Sequence, residues 1–529
     1  MTERGDILTE SCDAILIGAG INTLVAAAHL SARGWSVRVL ERGAEPGGAV
    51  RTGAYTIPGF RHDWAAMNLS LFAGSGFFRA YSADLTRLGL SFVPAPHAFA
   101  SVFSDGSWCG VSADPAVTRA RIAALSPADA ATWDRLLADF PAMAPHLFAL
   151  LSSPMKFRAL SRIGWGLWRA KGVGGTLDLV RFLLSSPRRW LSETFTDPRL
   201  HAMLGAWGMH LDFAPDISGG AVFPYLESMA TQSFGMVIGK GGADTVTRAL
   251  VAFIEERGGK VDCNAEVAGI ATEGGTARGV TLADGRRITA RRAVIAGLSP
   301  SGLARLTGAT GEERFDRGLA DFDHAPGTMM IHLALSAPLD WTAGAELQQF
   351  AYVHLAPDLE QMARTYQQAR AGLLPGRPVI VVGQPTALDP SRAPDGKHTL
   401  WLQVRMAPGT IRGDAGGTIT ATDWAQAAEP FAERALSILE AAAPGTRAKV
   451  LGRRIVTPLD LQEDNPNLVG GDQICGSHHL AQHFLFRPMR GRADGSTPVK
   501  NLYLTGAAVW PGAGTGAGAG WLLAQSLTR

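Results

Sequence analysis

Two glycines and a glutamate carry the clearest chemistry in this sequence. Gly18 and Gly20 flank Ala19 directly after the apolar run Ala14–Ile17, and Glu41 closes a second apolar run, Val37–Leu40, 21 positions after Gly20. Gly18 admits a tight turn. Gly20 lets the backbone approach a pyrophosphate, whose charge then faces the free N–H groups and positive dipole end of the following helix. A carboxylate at Glu41 is spaced to accept hydrogen bonds from a ribose 2′-OH. That chemistry requires strand, turn, helix and strand in succession, and Cys12–Arg42 supplies them. Ala14–Ile17 reads as a buried parallel strand, Leu24–Leu30 as an Ala-rich helix closed by Arg33-Gly34, and Val37–Leu40 as the second strand. Thr23 replaces the third glycine of G-x-G-x-x-G, which predicts looser helix–strand packing. The whole reads as a dinucleotide-binding unit; an ordinary βαβ unit with a glycine turn is the alternative.

A second glycine pair follows at once, in Glu41-Arg42-Gly43-Ala44-Glu45-Pro46-Gly47-Gly48-Ala49-Val50, where a nicotinamide unit needs none. With it the sequence resembles the amine-oxidase and phytoene-desaturase class of FAD enzymes (GxGxxG…ExxxxxGG), and within that class the phytoene-desaturase-like branch that also contains retinol saturase. Four further stretches resemble that branch: Phe60–Trp64 after Pro58-Gly59; Gly239–Asp244 running on to Ala249-Leu250; Gly470–Pro488; and Asn501–Gly506 with Trp510–Gly514. In Gly470–Pro488 the histidine of the branch is Cys475, which removes any role that histidine has elsewhere. The resemblance implies FAD, held by Gly18, Ala19, Gly20, Glu41, Arg42, Gly47, Gly48 and Ala49 along the dinucleotide and by Val267 at the adenine. It also implies that Gly506, Gly516, Ala517 and Gly518 lie at the flavin, where a glycine turn feeding a helix favours the reduced, anionic ring.

Composition bounds the rest. The 529 residues suffice for two domains with cores of their own, and 49 Lys+Arg against 47 Asp+Glu give no reason to expect nucleic acid. Cys12, Cys109, Cys263 and Cys475 show neither zinc nor disulfide-framework spacing, which fits a reducing compartment. The N-terminal segment MTERGDILTES lacks a secretory apolar core, and no run of 18 apolar residues occurs. A cytoplasmic protein is the expectation.

Between these motifs, Val102–Trp108 is a hairpin candidate with Asp105-Gly106 at its turn. Residues 112–215 read as mostly helical, broken at Pro141, Pro145, Pro154, Pro187 and Pro198, with Ser126 capping a helix that has Pro127 at its first position. Within this region, 151–190 carries Lys156, Arg158, Arg162, Arg169, Lys171, Arg181, Arg188 and Arg189 against the single acid Asp178, interleaved with Phe157, Trp165, Trp168, Phe182 and Trp190. Such a segment suits peripheral attachment to a membrane surface, or it is a solvated basic face over an ordinary core. Thr245–Glu256 reads as a helix and Lys260–Ile270 as holding a strand; Gly279–Leu282 with Arg287–Ala290 form a second hairpin, and Ala293–Ala296 a further buried strand. Met329–Leu335, Phe350–Leu355, Val379–Val382 and Thr399–Val404 read as an antiparallel sheet, and Trp424–Ala442 as a helix. His332 and His354 on that sheet, and His478, His479 and His483 in the loop, lack a third ligand type, so no metal is expected.

The architecture expected is an α/β two-domain flavoprotein. A discontinuous Rossmann-like FAD domain (1–75, 225–300 and 490–529) carries a substrate and membrane-facing domain of mixed antiparallel sheet and helices (76–224 and 301–489). The substrate would be a lipophilic, isoprenoid-like small molecule in an apolar cavity over the flavin, with Trp207, Phe223, Tyr225, His332, Phe484 and Trp510 as lining candidates. The reaction implied is desaturation by hydride transfer to flavin, with quinone or oxygen as electron acceptor; catalytic side chains and oligomeric state stay open. Two other readings compete: a saturase or redox-neutral isomerase of a similar substrate, and a non-catalytic binding protein on this fold, as Rab GDP-dissociation inhibitors are. The complete Gly18/Gly20/Glu41/Gly47/Gly48 set disfavours the last.

Overall fold

The structure, a computed structural model, describes residues 10–529; residues 1–9, most of the stretch read as lacking a secretory core, lie outside the described residues. The chain opens with β1 (Glu10–Ile17), α1 (Ile21–Ala32) and β2 (Val37–Leu40). There follow α2 (Gly76–Arg87), β3 (Phe92–Ala95), and the hairpin β4 (His97–Val102) and β5 (Trp108–Ser112). The main members of a helical layer come next, α3 (Pro127–Leu151), α4 (Phe157–Leu184) and α5 (Val222–Phe234). The chain then returns through β6 (Met236–Gly239), α6 (Asp244–Glu256), β7 (Lys260–Asp262), β8 (Val267–Glu273), β9 (Thr276–Leu282) and β10 (Arg287–Ala296). The second half contributes β11 (Gly327–Leu335), β12 (Tyr352–Leu355), β13 (Val379–Gly383), β14 (His398–Ala407), α7 (Trp424–Ala442), β15 (Val450–Val456), β16 (Leu502–Leu504) and α8 (Gly518–Leu527).

Two seven-stranded sheets organise the molecule. The first runs β8-β9-β10-β1-β2-β7, with β16 beside β10. β1 lies parallel to both neighbours, Ile17 facing Leu40 on one side and Ala296 on the other. Its central strands are buried on both faces, which is why they read as mostly apolar; the exception, Arg38 in β2, is buried with Glu10 and Asp262 as ion-pair partners. β10 is one continuous strand: its first half completes the expected hairpin with β9, and its second half is the run Ala293–Ala296. The second sheet runs β15-β11-β14-β13-β12-β4-β5. It is antiparallel except between β12 and β4, which are parallel, so both insertions build one sheet.

Apolar packing places the domain boundaries differently from 75, 225 and 300. Phe77, Leu85 and Leu90 pack with Leu24, Leu250 and Phe253 of the nucleotide unit, and β3 pairs with β6, so this side extends to Ala95. Val222, Tyr225 and Met229 of α5 instead pack with Trp133, Phe140 and Leu200 of the helical layer. Leu303, Phe315 and Leu319 close over Val280 and Val294 under the first sheet. Another correction concerns Pro141 and Pro145, which lie inside α3 rather than ending it. Both are on its solvent side, while Phe140, Ala144 and Leu147 are buried, so the carbonyls left without donors face water.

One buried ion pair ties the layers together. Arg392, fully buried, donates from Nη1 to Asp63 Oδ2 (2.5 Å) and from Nη2 to the Gly239 carbonyl (2.6 Å). Asp63 Oδ1 accepts from Thr52 Oγ1 (2.7 Å) and the Ala243 N–H (2.8 Å). Asp63→Ala leaves the buried guanidinium, among carboxylates, only its longer contact with Asp389 (3.4 Å) and should cost about 3–5 kcal/mol. The urea midpoint should fall accordingly; a midpoint within experimental error of the parent would refute the assignment.

Candidate active site

The turn after β1 builds an anion cradle. The Gly18 N–H donates to the Leu40 carbonyl (2.7 Å), and Gly20 starts α1 with no side-chain cap, leaving first-turn N–H groups free. A Cβ placed on Gly20 would meet nothing within 4 Å, so space lies open beside it. The second glycine pair folds over the first: the Gly47 N–H donates to the Ala19 carbonyl (2.8 Å). Gly47 has φ +125°, and a Cβ there would lie 2.6 Å from the Val50 carbonyl oxygen, so only glycine fits. Ala49 leads from this turn towards the substrate-side core.

Glu41 holds the rim. Its Oε2 accepts the Ala19 N–H (2.7 Å) and its Oε1 the Gly43 N–H (2.8 Å), which leaves lone pairs for a ribose hydroxyl. The Glu41 carbonyl accepts the Ala265 N–H (2.8 Å), which brings buried Val267 beside the same rim. Arg42 points away, donating to the carbonyls of Glu463 and Asp464. With the Arg51–Asp464 ion pair and the Asn467 Nδ2 bond to the Gly297 carbonyl (3.2 Å), it fastens the 463–467 loop over the cradle. Nothing in the sequence pattern singled out that loop.

Packing at Thr23 corrects the expectation of looseness. The space a third glycine would have left is supplied by Gly297 at the end of β10: a Cβ there would sit 2.0 Å from Thr23 Oγ1. Gly520 plays the same part between α8 and α1, where a Cβ would lie 1.8 Å from the Asn22 carbonyl oxygen. The first turns of α1 and α8 therefore touch. α8 begins at Gly518, after buried Ala517 with φ +53° and Gly516; its N-cap residue gives no side-chain cap, and of its first-turn N–H groups that of Gly520 donates to Asn22 Oδ1 (3.2 Å). Gly506 follows Thr505, whose buried Oγ1 has no protein partner. Two helix starts without an N-cap side chain, an orphaned hydroxyl and a ribose-spaced carboxylate fit a dinucleotide cofactor.

The six lining candidates do not form one cluster. Phe223 and Phe484 line one small cavity with Phe213 and Leu480, and Phe484 lies against Trp510 (5.2 Å between ring centroids). Tyr225 is packed into the helical layer against Phe182 and Trp190, which removes it from the lining. Trp207 and His332 instead belong to an aromatic wall. Trp207 meets Tyr352 (6.2 Å), Tyr352 meets Trp401 (5.9 Å), Trp401 lies opposite His332 across β14 and β11, and His332 stacks on Trp64 (6.0 Å). The indole N–H groups of Trp64, Trp207 and Trp401 and both ring nitrogens of His332 are buried without partners. Burial drives the His332 pKa far down, so its ring is neutral.

One carboxyl escaped the sequence reading. Glu227 lies on one face of α5 with Phe223 and Ala230, at i, i+4 and i+7, and all three are half-buried. It makes no hydrogen bond or ion pair among the described residues, and burial alone raises it from 4.5 to about 7. The side chain is crowded by protein yet keeps part of its surface open. Its charge reaches Tyr352 of the aromatic wall. The available signal was an isolated acid inside the apolar run VFPYLESMA. The loop histidines serve structure: His478 Nε2 accepts the Ala513 N–H (3.1 Å), and His479 bonds Asp212. Among the described residues no group of three His, Cys, Asp or Glu side chains could hold a metal. Cys475 donates to the Asn467 carbonyl, and burial pushes its thiol up to about 12.

The basic segment divides. Lys156 pairs with Asp494, Arg181 and Arg189 with Glu193, and Arg188 with Asp216 and Glu360, whereas Arg158, Arg162, Arg169 and Lys171 on α4 have no acidic partner among the described residues. α4 also exposes Phe157 (85%), Trp165 (59%) and Leu177 (63%). No helix among the described residues is long and apolar enough to cross a membrane.

Glu41→Ala removes two charge-assisted bonds that lock the turn as well as the ribose acceptor, worth about 1.5–3 kcal/mol each. Cofactor affinity should fall by about one to two powers of ten, measured by release of the yellow chromophore on dilution. Full retention at the parent's dissociation constant would contradict the cradle.

Residues 24–517 match the family described as "Flavin containing amine oxidoreductase". The mouse "Pyridine nucleotide-disulfide oxidoreductase domain-containing protein 2" is 27% identical over 96% of this chain and 92% of its own. A "Phytoene desaturase (neurosporene-forming)" of Cereibacter sphaeroides is 26% identical over 95% and 91%. The crystal structure of an oxidoreductase from Methanosarcina mazei superposes with a TM-score of 0.58, at 19% identity over 97% and 99% of the two chains, and shares the fold. The chain belongs to the flavin-containing amine oxidoreductase family, an oxidoreductase whose cofactor is FAD.

Proposed function

We propose that this oxidoreductase desaturates a lipophilic, isoprenoid-like substrate at a C–C bond and works while attached to a membrane surface. The observation that carries this reading is the aromatic wall with one unpartnered carboxyl, Glu227, near it. Such a wall offers dispersion contact to a long hydrocarbon. Similarity to phytoene desaturases over nearly the full chain supports the same class. FAD supplies the hydride acceptor. The hydrogen on the adjacent carbon leaves as a proton to a Glu227 carboxylate oxygen, and its C–H pair becomes the new π bond. A base poised near neutrality suits that task. The start of α8 would stabilise negative charge at the flavin edge.

Quinone or oxygen is the proposed electron acceptor. Gly239–Gly242, a glycine-rich turn, follows β6, which pairs antiparallel with β3 and is no part of a second parallel dinucleotide unit. The exposed apolar residues and unpaired cations of α4 support an interfacial helix, from which both hydrocarbon substrate and quinone could enter.

Mixed anaerobically with phytoene in detergent micelles, the protein should lose its flavin absorbance and regain it on adding a quinone. NADPH alone should leave the band unchanged; rapid bleaching by NADPH would point to a saturase, and substrate isomerised without bleaching to an isomerase. Glu227→Gln should slow substrate-driven bleaching by about 10²–10⁴-fold. Stability gives an independent reading. A carboxyl whose folded pKa is raised costs nothing below the unfolded value, and its penalty grows as pH rises from 4.5 to about 7. The Tm advantage of Glu227→Gln over the parent should therefore be absent near pH 4, develop across that window and stay constant above it. An advantage independent of pH would refute the buried carboxyl.

A further inference from the structure

Beside the proposed interfacial helix lies a cleft outside the glycine cradle of residues 18–51. Its volume is about 620 Å3, within the range of ligand pockets. One wall is the start of α4 with the turn before it (Ser153, Phe157, Ala159), the other is α8 and the segment before it (Trp510, Leu522, Leu523). None of residues 18–51 lines it. The floor is apolar: Trp510 is buried, its Nε1 held by the Ser153 carbonyl (2.9 Å), and Leu523 is buried beside it. Phe157 stands at the rim, 85% exposed. Of the four basic residues here, Lys156 is neutralised by Asp494 (3.3 Å), whereas Arg158, Arg162 and Arg529 have no acidic partner among the described residues. An apolar slot under the free guanidiniums of Arg158 and Arg162 on α4, with Arg529 also lining it, and continuous with exposed Trp165 and Trp168 of the same helix, has the polarity of one amphiphile standing head outward.

We propose that this cleft binds a single anionic phospholipid from the membrane surface, one acyl chain lying along Trp510, Leu522 and Leu523 and the phosphate on Arg158 and Arg162. The inference rests on the membrane part of the proposed function but concerns a saturable site distinct from general adsorption. A phospholipid accounts for both cations and for continuity with the interfacial face; free phosphate would leave the apolar slot empty.

The test uses FAD-loaded full-length protein and monomeric dihexanoyl-phosphatidylglycerol, titrated by calorimetry below its micelle concentration. One site should saturate. Arg158→Gln/Arg162→Gln should weaken it roughly tenfold or more, on the scale of about 1 kcal/mol per basic residue. Ala159→Trp/Leu522→Trp, which fills the slot without changing charge, should abolish it, while sedimentation with anionic vesicles persists through the outer face of α4. Conversely, Trp165→Ser/Trp168→Ser should lose vesicle sedimentation and keep the calorimetric site, which separates failure of membrane attachment from failure of the cleft. Dihexanoyl-phosphatidylcholine should bind about tenfold more weakly, and inorganic phosphate not at all. Absence of saturable binding, equal affinity for the zwitterionic lipid, binding of phosphate alone, or full binding by the filled cleft would each overturn the proposal. Retained flavin absorbance and Tm in every variant establish that the fold is intact.

Discussion

The Asp63–Arg392 pair is the constraint on which the rest of the architecture depends. Removing two charges from water is expensive, and the cost is offset only when remaining donors and acceptors are matched. Here the matching partners come from three distant segments: Thr52 before the pair, Gly239 and Ala243 around the start of α6, and Asp389, whose Oδ2 also accepts the Gly241 N–H at 2.6 Å. The pair can be satisfied only when the second insertion, which supplies Arg392 and Asp389, is docked on the nucleotide unit. Asp63 also precedes Trp64, whose N–H donates to the Arg51 carbonyl (2.8 Å) and whose indole stacks on His332. The same interaction thus sets the second sheet's aromatic wall at a fixed distance from the glycine cradle.

That placement explains why polar atoms along the wall go unpaired. Buried indole and imidazole nitrogens normally find partners, and their absence costs free energy that core packing elsewhere must offset. Three indoles and a neutral histidine facing one interior strip make the strip weakly polar rather than greasy throughout. A conjugated or methyl-branched hydrocarbon can lie against such a surface without competing for strong hydrogen bonds. Glu227 then differs from its surroundings in kind: it can change charge near neutral pH while most of its neighbours cannot.

What could be read from the sequence was whatever is settled locally. The strands around Gly18 and Glu41 are encoded by short, mostly apolar stretches bounded by turn residues, and the helix Trp424–Ala442 by its Ala-rich composition, so their placement needed no tertiary knowledge. Thr23 was misread because close packing needs a glycine on either partner, and the one present, Gly297, is remote in sequence. Pro141 and Pro145 were misread because a proline breaks a helix only if its orphaned carbonyl cannot reach water, and burial of the opposite face is a tertiary fact. The domain boundaries went astray for the same reason: α2 and the helix Pro300–Thr307 look like any amphipathic helix until the sheet they cover is known. Glu227 was invisible because its significance is the lack of a partner, which no pattern of residue types records.

The basic run between 151 and 190 shows how structure changes the meaning of a charge count. Half of its cations are consumed by carboxylates on neighbouring elements and hold the helical layer together, as Arg188 does with Asp216 and Glu360. The unpaired ones, Arg158, Arg162, Arg169 and Lys171, fall on the first part of α4, before the break at Gly172, where the backbone leaves helical geometry. Unpaired charge and exposed aromatics therefore coincide on one half-helix, while the other half exposes aliphatic side chains such as Val173, Leu177 and Leu184. A surface that attracts anionic headgroups at one end and apolar chains along the rest orients a bound protein as well as retaining it. The attractive half adjoins α8, whose opposite end starts at the proposed flavin edge, so the proposed oriented attachment would hold the cofactor domain at a fixed height above a lipid surface.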